Sequence, residues 1–113
     1  MKTPIPTREL VLKKLRRCFV GADGATRVLG ILDRYGAESW HRERERVHLA
    51  ILKQCNGDVG RVSTLVERAC ADFREVLAGA EYPEEFSLPA GQGDLGAVRE
   101  RDRRQYENWL NAD

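Results

Sequence analysis

The stretch Asp58-Val59-Gly60-Arg61-Val62-Ser63-Thr64-Leu65-Val66-Glu67-Arg68-Ala69-Cys70-Ala71-Asp72-Phe73-Arg74-Glu75-Val76-Leu77-Ala78-Gly79-Ala80 decides the fold. Its apolar residues, from Val62 and Leu65 through Phe73 to Ala80, recur every three or four positions. That spacing stacks side chains on one face of a helix with 3.6 residues per turn. Asp58 precedes the stripe and can accept the unpaired N–H groups of a first turn. The pattern predicts a helix over 59–80 as the central element of a core. No stretch alternates with period 2, so the chain reads as all-α.

Working upstream, Asn56-Gly57 ends a helix expected over 40–55 and capped by Ser39. So short a turn makes the two helices antiparallel neighbours. The first half of helix 40–55 is charged, and Trp40, Val47, Ile51 and Cys55 share one face with Arg44 in its middle. Arg44 is therefore expected to meet a carboxylate at the core edge or a partner. An earlier helix, 24–35, carries Val28, Leu29, Ile31, Leu32 and Tyr35. Asp23 is its cap, Gly36 its left-handed stop, and Gly30 a point of close packing. The first helix, 8–20, is capped by Thr7 and buries Leu10, Val11, Leu12, Leu15, Cys18 and Phe19. Lys13, Lys14, Arg16 and Arg17 are assigned to its wetter side.

Downstream, residues 81–94 hold two prolines, two glycines and four acids, and read as a surface loop. Asp94 caps a last helix, 95–111, with Leu95, Val98, Tyr106, Trp109 and Leu110. Its middle, Arg99 to Gln105, has no apolar residue, so it is expected to pack by its ends or on something else. The organisation is an extended arm (1–7), a helical bundle domain (8–80), an acidic Pro/Gly loop (81–94) and a C-terminal helix (95–113). The fold expected is a four-helix bundle, orthogonal or up-down, with a fifth, looser helix. Trimming 95–113 should then spare the melt of the rest.

The 113 residues carry 19 Lys+Arg and 18 Asp+Glu, with 42% hydrophobic and 33% charged residues. This is the composition of one ordinary globular domain. The net charge of +1 excludes a uniformly basic nucleic-acid binder. No window approaches the roughly 20 apolar residues of a membrane span, and Met1–Thr7 lacks the apolar region of a signal peptide. Three widely spaced cysteines, an odd count, fit a cytoplasmic chain better than a secreted disulfide framework. The charges are nevertheless segregated. Residues 1–20 are net +5, and residues 81–94 are net −4 with no basic residue.

Gly91-x-Gly93-x-x-Gly96 has the letters of a dinucleotide fingerprint, but a proline-rich loop stands where that chemistry needs a strand. His41 and His48 lie seven residues apart, about 10.5 Å along a helix axis. That is too far for adjacent turns to share one ion, so no metal or cofactor is expected. Cys18, Cys55 and Cys70 fall on apolar faces, where free Cys behaves as a small hydrophobe. Glu84-Glu85 lacks an apolar wall to shift a pKa. Helices 40–55 and 59–80 could be read as a helix-turn-helix, yet the second offers only Arg61 in its first two turns.

No catalytic constellation emerges, and the reading is of a small non-enzymatic protein-interaction or regulatory module. Tyr82, Phe86, Tyr106 and Trp109 are its candidate contacts, because aromatics anchor interfaces. The partner is another protein or a second copy of the chain, and no membrane. The alternative is a nucleic-acid-binding protein that meets phosphates through Lys13, Lys14, Arg16 and Arg17.

Three blocks carry a resemblance: Ile31-Leu32-Asp33-Arg34-Tyr35-Gly36, Glu43-Arg44-Glu45-Arg46-Val47-His48-Leu49-Ala50-Ile51-Leu52-Lys53, and Asp72-Phe73-Arg74-Glu75-Val76-Leu77 with Tyr82-Pro83-Glu84-Glu85. Over residues 28–86 the chain resembles a group of short bacterial proteins with no assigned activity. The resemblance implies a helical fold and a bacterial cytosolic setting, and it transfers no functional residues.

Overall fold

The computed structural model describes residues 5–88 and 94–112. Its helices are α1 (Arg8–Cys18), α2 (Ala22–Leu32), α3 (Arg44–Gln54), α4 (Val59–Glu81), α5 (Pro83–Ser87) and α6 (Leu95–Asn111). No strand occurs among the described residues. Residues 1–4 of the expected arm, and Gly91 and Gly93 of the fingerprint letters, lie outside the described residues.

Three expected caps form. Thr7 Oγ1 accepts the Leu10 N–H at 3.1 Å, Asp58 Oδ1 that of Gly60 at 2.8 Å, and Asp94 Oδ1 that of Ala97 at 3.2 Å. α2 differs: Gly21 is its N-cap, and Asp23 lies inside the first turn. Gly30 is exposed, with open space where a side chain would stand, so close packing is not its role.

α3 is the most deeply buried helix. Six consecutive residues, Val47 to Leu52, are buried, so it is apolar all round rather than on one stripe. It runs antiparallel to α4. Arg46 pairs with Glu81 at 2.5 Å near one end, and Gln54 Nε2 donates to the Val76 carbonyl at 2.8 Å near the other. The turn between them holds Asn56 and Gly57 at φ 51° and 73°, left-handed conformations that these residue types tolerate.

α4 is two helical halves. Asp72 has φ −155° and ψ 97°, and its Oδ1 accepts the Arg74 N–H at 3.1 Å. Asp72 therefore caps a second helix start, and Asp72-x-x-Glu75 has the spacing of a capping box. The apolar stripe runs through the break, which is why periodicity alone reads one helix.

The acidic stretch 81–94 is not wholly a loop. Pro83 opens the short α5, where its missing N–H costs nothing. Asp102 of α6, only 2% exposed, accepts the N–H groups of Glu84 and Glu85, each at 3.0 Å. Arg101 pairs with Glu84 and Arg99 with Glu85. The charged middle of α6 is thus the dock for the acidic segment. The same stripe that carries Asp102 buries Val98, Tyr106 and Leu110, and the last two join the main core. α6 is an integral element, not a loose one.

His48 sits in this core at 0% exposure. Its Nε2–H donates to the Tyr35 carbonyl at 2.8 Å, and Nδ1 faces Arg8 Nη1 at 3.5 Å. Burial holds its pKa below the ordinary imidazole value. The native state keeps His48 neutral, whereas the unfolded chain protonates near pH 6.5. This contribution to stability is complete above about pH 6.5 and is lost as pH falls toward the native value. The limiting slope is about 1.4 kcal/mol per pH unit for one proton. Urea midpoints measured between pH 7.5 and pH 5 should fall, and H48Q should flatten that dependence. An equal slope in H48Q would assign the acid sensitivity to other groups.

Candidate interaction groove

α2 ends at Leu32, and Asp33 to Gly36 turn the chain back over the core. Tyr35 goes inward to 1% exposure. Its hydroxyl donates to the Arg42 carbonyl at 2.6 Å and accepts the Arg42 N–H at 3.2 Å. Burial raises the Tyr35 pKa, so the phenol stays protonated and keeps donating. The His41 ring stacks on Tyr35 with centroids 4.5 Å apart, and its Nδ1 accepts the Gly36 N–H at 2.8 Å. Gly36, at φ 112°, takes a backbone shape that side chains resist. The stem of Arg44 lies over it, so a Cβ there would collide with Arg44 Cδ.

These contacts explain why helix 40–55 starts late. The backbone of 36–42 is spent on the Tyr35–His41 lock, and α3 begins only at Arg44. Arg44 is exposed, and the carboxylate it meets is that of its half-buried neighbour Glu45, at 2.7 Å. His41 lies outside the helix that was to align it with His48, and among the described residues no cluster of three or more His, Cys, Asp or Glu is placed to hold a metal ion.

Trp40 is carried on the outer edge of the lock. Its ring meets His41 edge-on at 4.2 Å, and the residue is 61% exposed. It was expected on a buried helix face. Below it opens a groove of about 470 Å3 between the 35–42 turn and the break in α4. Tyr35, Trp40 and Arg42 line it from the turn, and residues 69–74 line it from α4. The Arg42 guanidinium makes no ion pair among the described residues, whereas Arg74 is held by Asp72 at 3.2 Å. Burial pushes the Cys70 thiol above its usual range. The groove brings together an aromatic plane, small apolar side chains and two guanidinium groups.

The aromatic candidates divide. Tyr106 and Trp109 fold inward and stack on each other with centroids 5.9 Å apart. Tyr82 and Phe86 remain exposed at 36% and 57%. Tyr82 and Tyr106 line a cleft of about 290 Å3 beside Glu81, Arg99 and Arg103. Phe86 instead borders a separate hollow near Gln54 and Gly79.

The basic candidates divide as well. Lys13, Arg16 and Arg17 are on the exposed side of α1. Lys14 is buried at 2% exposure, and its ammonium donates to the carbonyls of Trp109 and Ala112. This withdraws Lys14 from any phosphate-facing surface. Among the described residues of the acidic segment, Glu81, Glu84 and Glu85 pair with Arg46, Arg101 and Arg99.

No helix among the described residues is long and apolar enough to cross a membrane. Comparison with protein-family models, curated proteins and solved structures gave no match to the chain.

Proposed function

We propose that this chain is a small, non-enzymatic interaction module, and that the Trp40 groove is where it takes a segment of a partner protein. The observation that carries this reading is Trp40 itself. A tryptophan 61% exposed, set edge-on against the His41 ring that stacks on Tyr35, and beside an Arg42 that makes no ion pair among the described residues, is set out as an anchor rather than packed as core. Trp and Arg at the rim of an apolar hollow are the residue types that carry most of the binding energy in protein interfaces. In this reading α1–α4 are the four-helix scaffold, and α5 and α6 brace it from behind. The setting is the bacterial cytoplasm, following the resemblance of residues 28–86.

The alternative is nucleic-acid binding on α1. Arg16 and Arg17 are exposed and make no ion pair among the described residues, which favours a phosphate-facing role for Lys13, Arg16 and Arg17.

Photocrosslinking in the native host separates the readings. Full-length chains carry a benzophenone side chain at position 40, 86 or 17. Position 40 is expected to give one discrete protein adduct, and R42E is expected to remove it without changing the helical melt. A nuclease-sensitive adduct confined to position 17 would replace the groove with the α1 reading. Adducts confined to position 86 would move the contact to α5.

A further inference from the structure

Cys18 closes α1 and Cys55 caps the end of α3, so two helix ends 37 positions apart bring two sulfurs to one place. Both thiols point at the same acceptor. Cys55 Sγ lies 3.2 Å from the Leu52 carbonyl oxygen, and Cys18 Sγ 3.8 Å from it. Sharing one acceptor, the two sulfurs lie within about 7 Å of each other. Neither is in a disulfide. Their exposures differ. Cys55 is fully buried, whereas Cys18 is partly open to solvent.

From this geometry we infer that Cys18 and Cys55 are a redox-active pair, a site where low-molecular-weight disulfides convert two thiols into one intramolecular disulfide. The electrostatics divide the roles. The neighbouring Cys18 thiol, then the N–H groups of Gly57 and Asp58, draw the Cys55 pKa down to about 7. Cys55 and burial push the Cys18 thiol far up, so at rest Cys18 holds its proton and the thiolate sits on Cys55. Cys55 is then the base that takes the Cys18 proton as the accessible Cys18 attacks.

The exchange then balances in two steps. The Cys18 thiolate attacks one sulfur of the external disulfide, forms a mixed disulfide and expels one thiolate. Cys55, its proton lost to solvent, attacks the Cys18 sulfur and expels the second. Two protein thiols and one small disulfide become one protein disulfide and two small thiols, a two-electron oxidation of the protein. The link ties the end of α1 to the α3–α4 turn, where Gly57 already approaches the Cys18 carbonyl.

The test uses the reduced full-length chain and oxidised glutathione, read by intact mass and peptide mapping. The expected product is lighter by two hydrogens, joins the Cys18 and Cys55 peptides, leaves Cys70 alkylatable, and melts at a higher temperature than the reduced chain. C55S should stop at a glutathione adduct on Cys18. C18S should react at least roughly tenfold more slowly, because it leaves a sulfur the oxidant does not reach. C70S should behave as the parent. First oxidation at Cys70, or covalent dimers through Cys18 in place of the internal link, would overturn the assignment. Should C55S fail to fold, by its circular dichroism, the peptide map of the parent chain still decides.

Discussion

A chain ended after Asp94 is expected to lose its cooperative thermal transition. Truncation removes Val98, Tyr106 and Leu110, which are 3%, 8% and 3% exposed. Burying each such side chain is worth roughly 1.5–3 kcal/mol. Three of them approach the whole stability of a small domain, about 5–15 kcal/mol. The secondary damage points the same way. The Glu84 and Glu85 N–H groups lose Asp102, and the buried Lys14 ammonium loses both backbone acceptors. Calorimetry of residues 1–94 against the full chain checks this. A broad, low-enthalpy transition is expected. A sharp transition close to the parent Tm would return α6 to the status of an accessory helix.

The helices were legible because the forces that make them are local. The Thr7, Asp58 and Asp94 caps and the apolar stripe of α4 are written in windows of a few residues, and they appear where that spacing puts them. What periodicity misses is tertiary competition. The run from His41 to Arg46 looks helical in its charges, yet the Tyr35 hydroxyl and the His41 ring take up the backbone that would have made the first turn. The break at Asp72 was legible in principle through Asp72-x-x-Glu75. It was hidden because the apolar stripe passes through it unbroken.

The site was less legible than the fold. Trp40 reads as core, since a tryptophan on an apolar face usually is. Only the lock at Tyr35, which swings 36–42 out of the helix, puts it at the groove rim. The thiol pair was invisible for a related reason. Cys18 and Cys55 each fit an apolar face in one dimension, and their meeting at the Leu52 carbonyl is a property of how α1 crosses α3. The acidic stretch and the charged helix after it each read as short of partners. They are partners of one another, Glu84 with Arg101 and Glu85 with Arg99.

Lys14 is the sharpest instance, and replacing it carries the second large expectation. K14A should destabilise the chain by about 3 kcal/mol, since hydrogen bonds from a charged group contribute roughly 1.5–3 kcal/mol and the buried stem adds packing. The ammonium lies 2.5 Å from the Trp109 carbonyl oxygen and 2.6 Å from that of Ala112. Trp109 lies in the last turn of α6 and Ala112 is its C-cap, so both carbonyls stand at the negative end of the α6 dipole, and that of Trp109 also accepts the Ala112 N–H at 3.3 Å. The same ammonium stands 4.8 Å above the Trp109 ring, where a cation is attracted to the π face. The spacing itself predicts an inward side chain. Lys14 falls three residues after Val11 and four before Cys18, on the same stripe, and only its charge suggested the wet side. K14M separates the contributions, because it keeps the stem and removes the donor. If the carbonyl bonds dominate, K14M stays close to K14A in urea midpoint. If desolvation of the buried ammonium outweighs its bonds, K14M is more stable than the parent chain, as happens when some buried charges give way to apolar groups. The two carbonyls argue for the first outcome, because removing the ammonium takes a charge-assisted hydrogen bond from each of them.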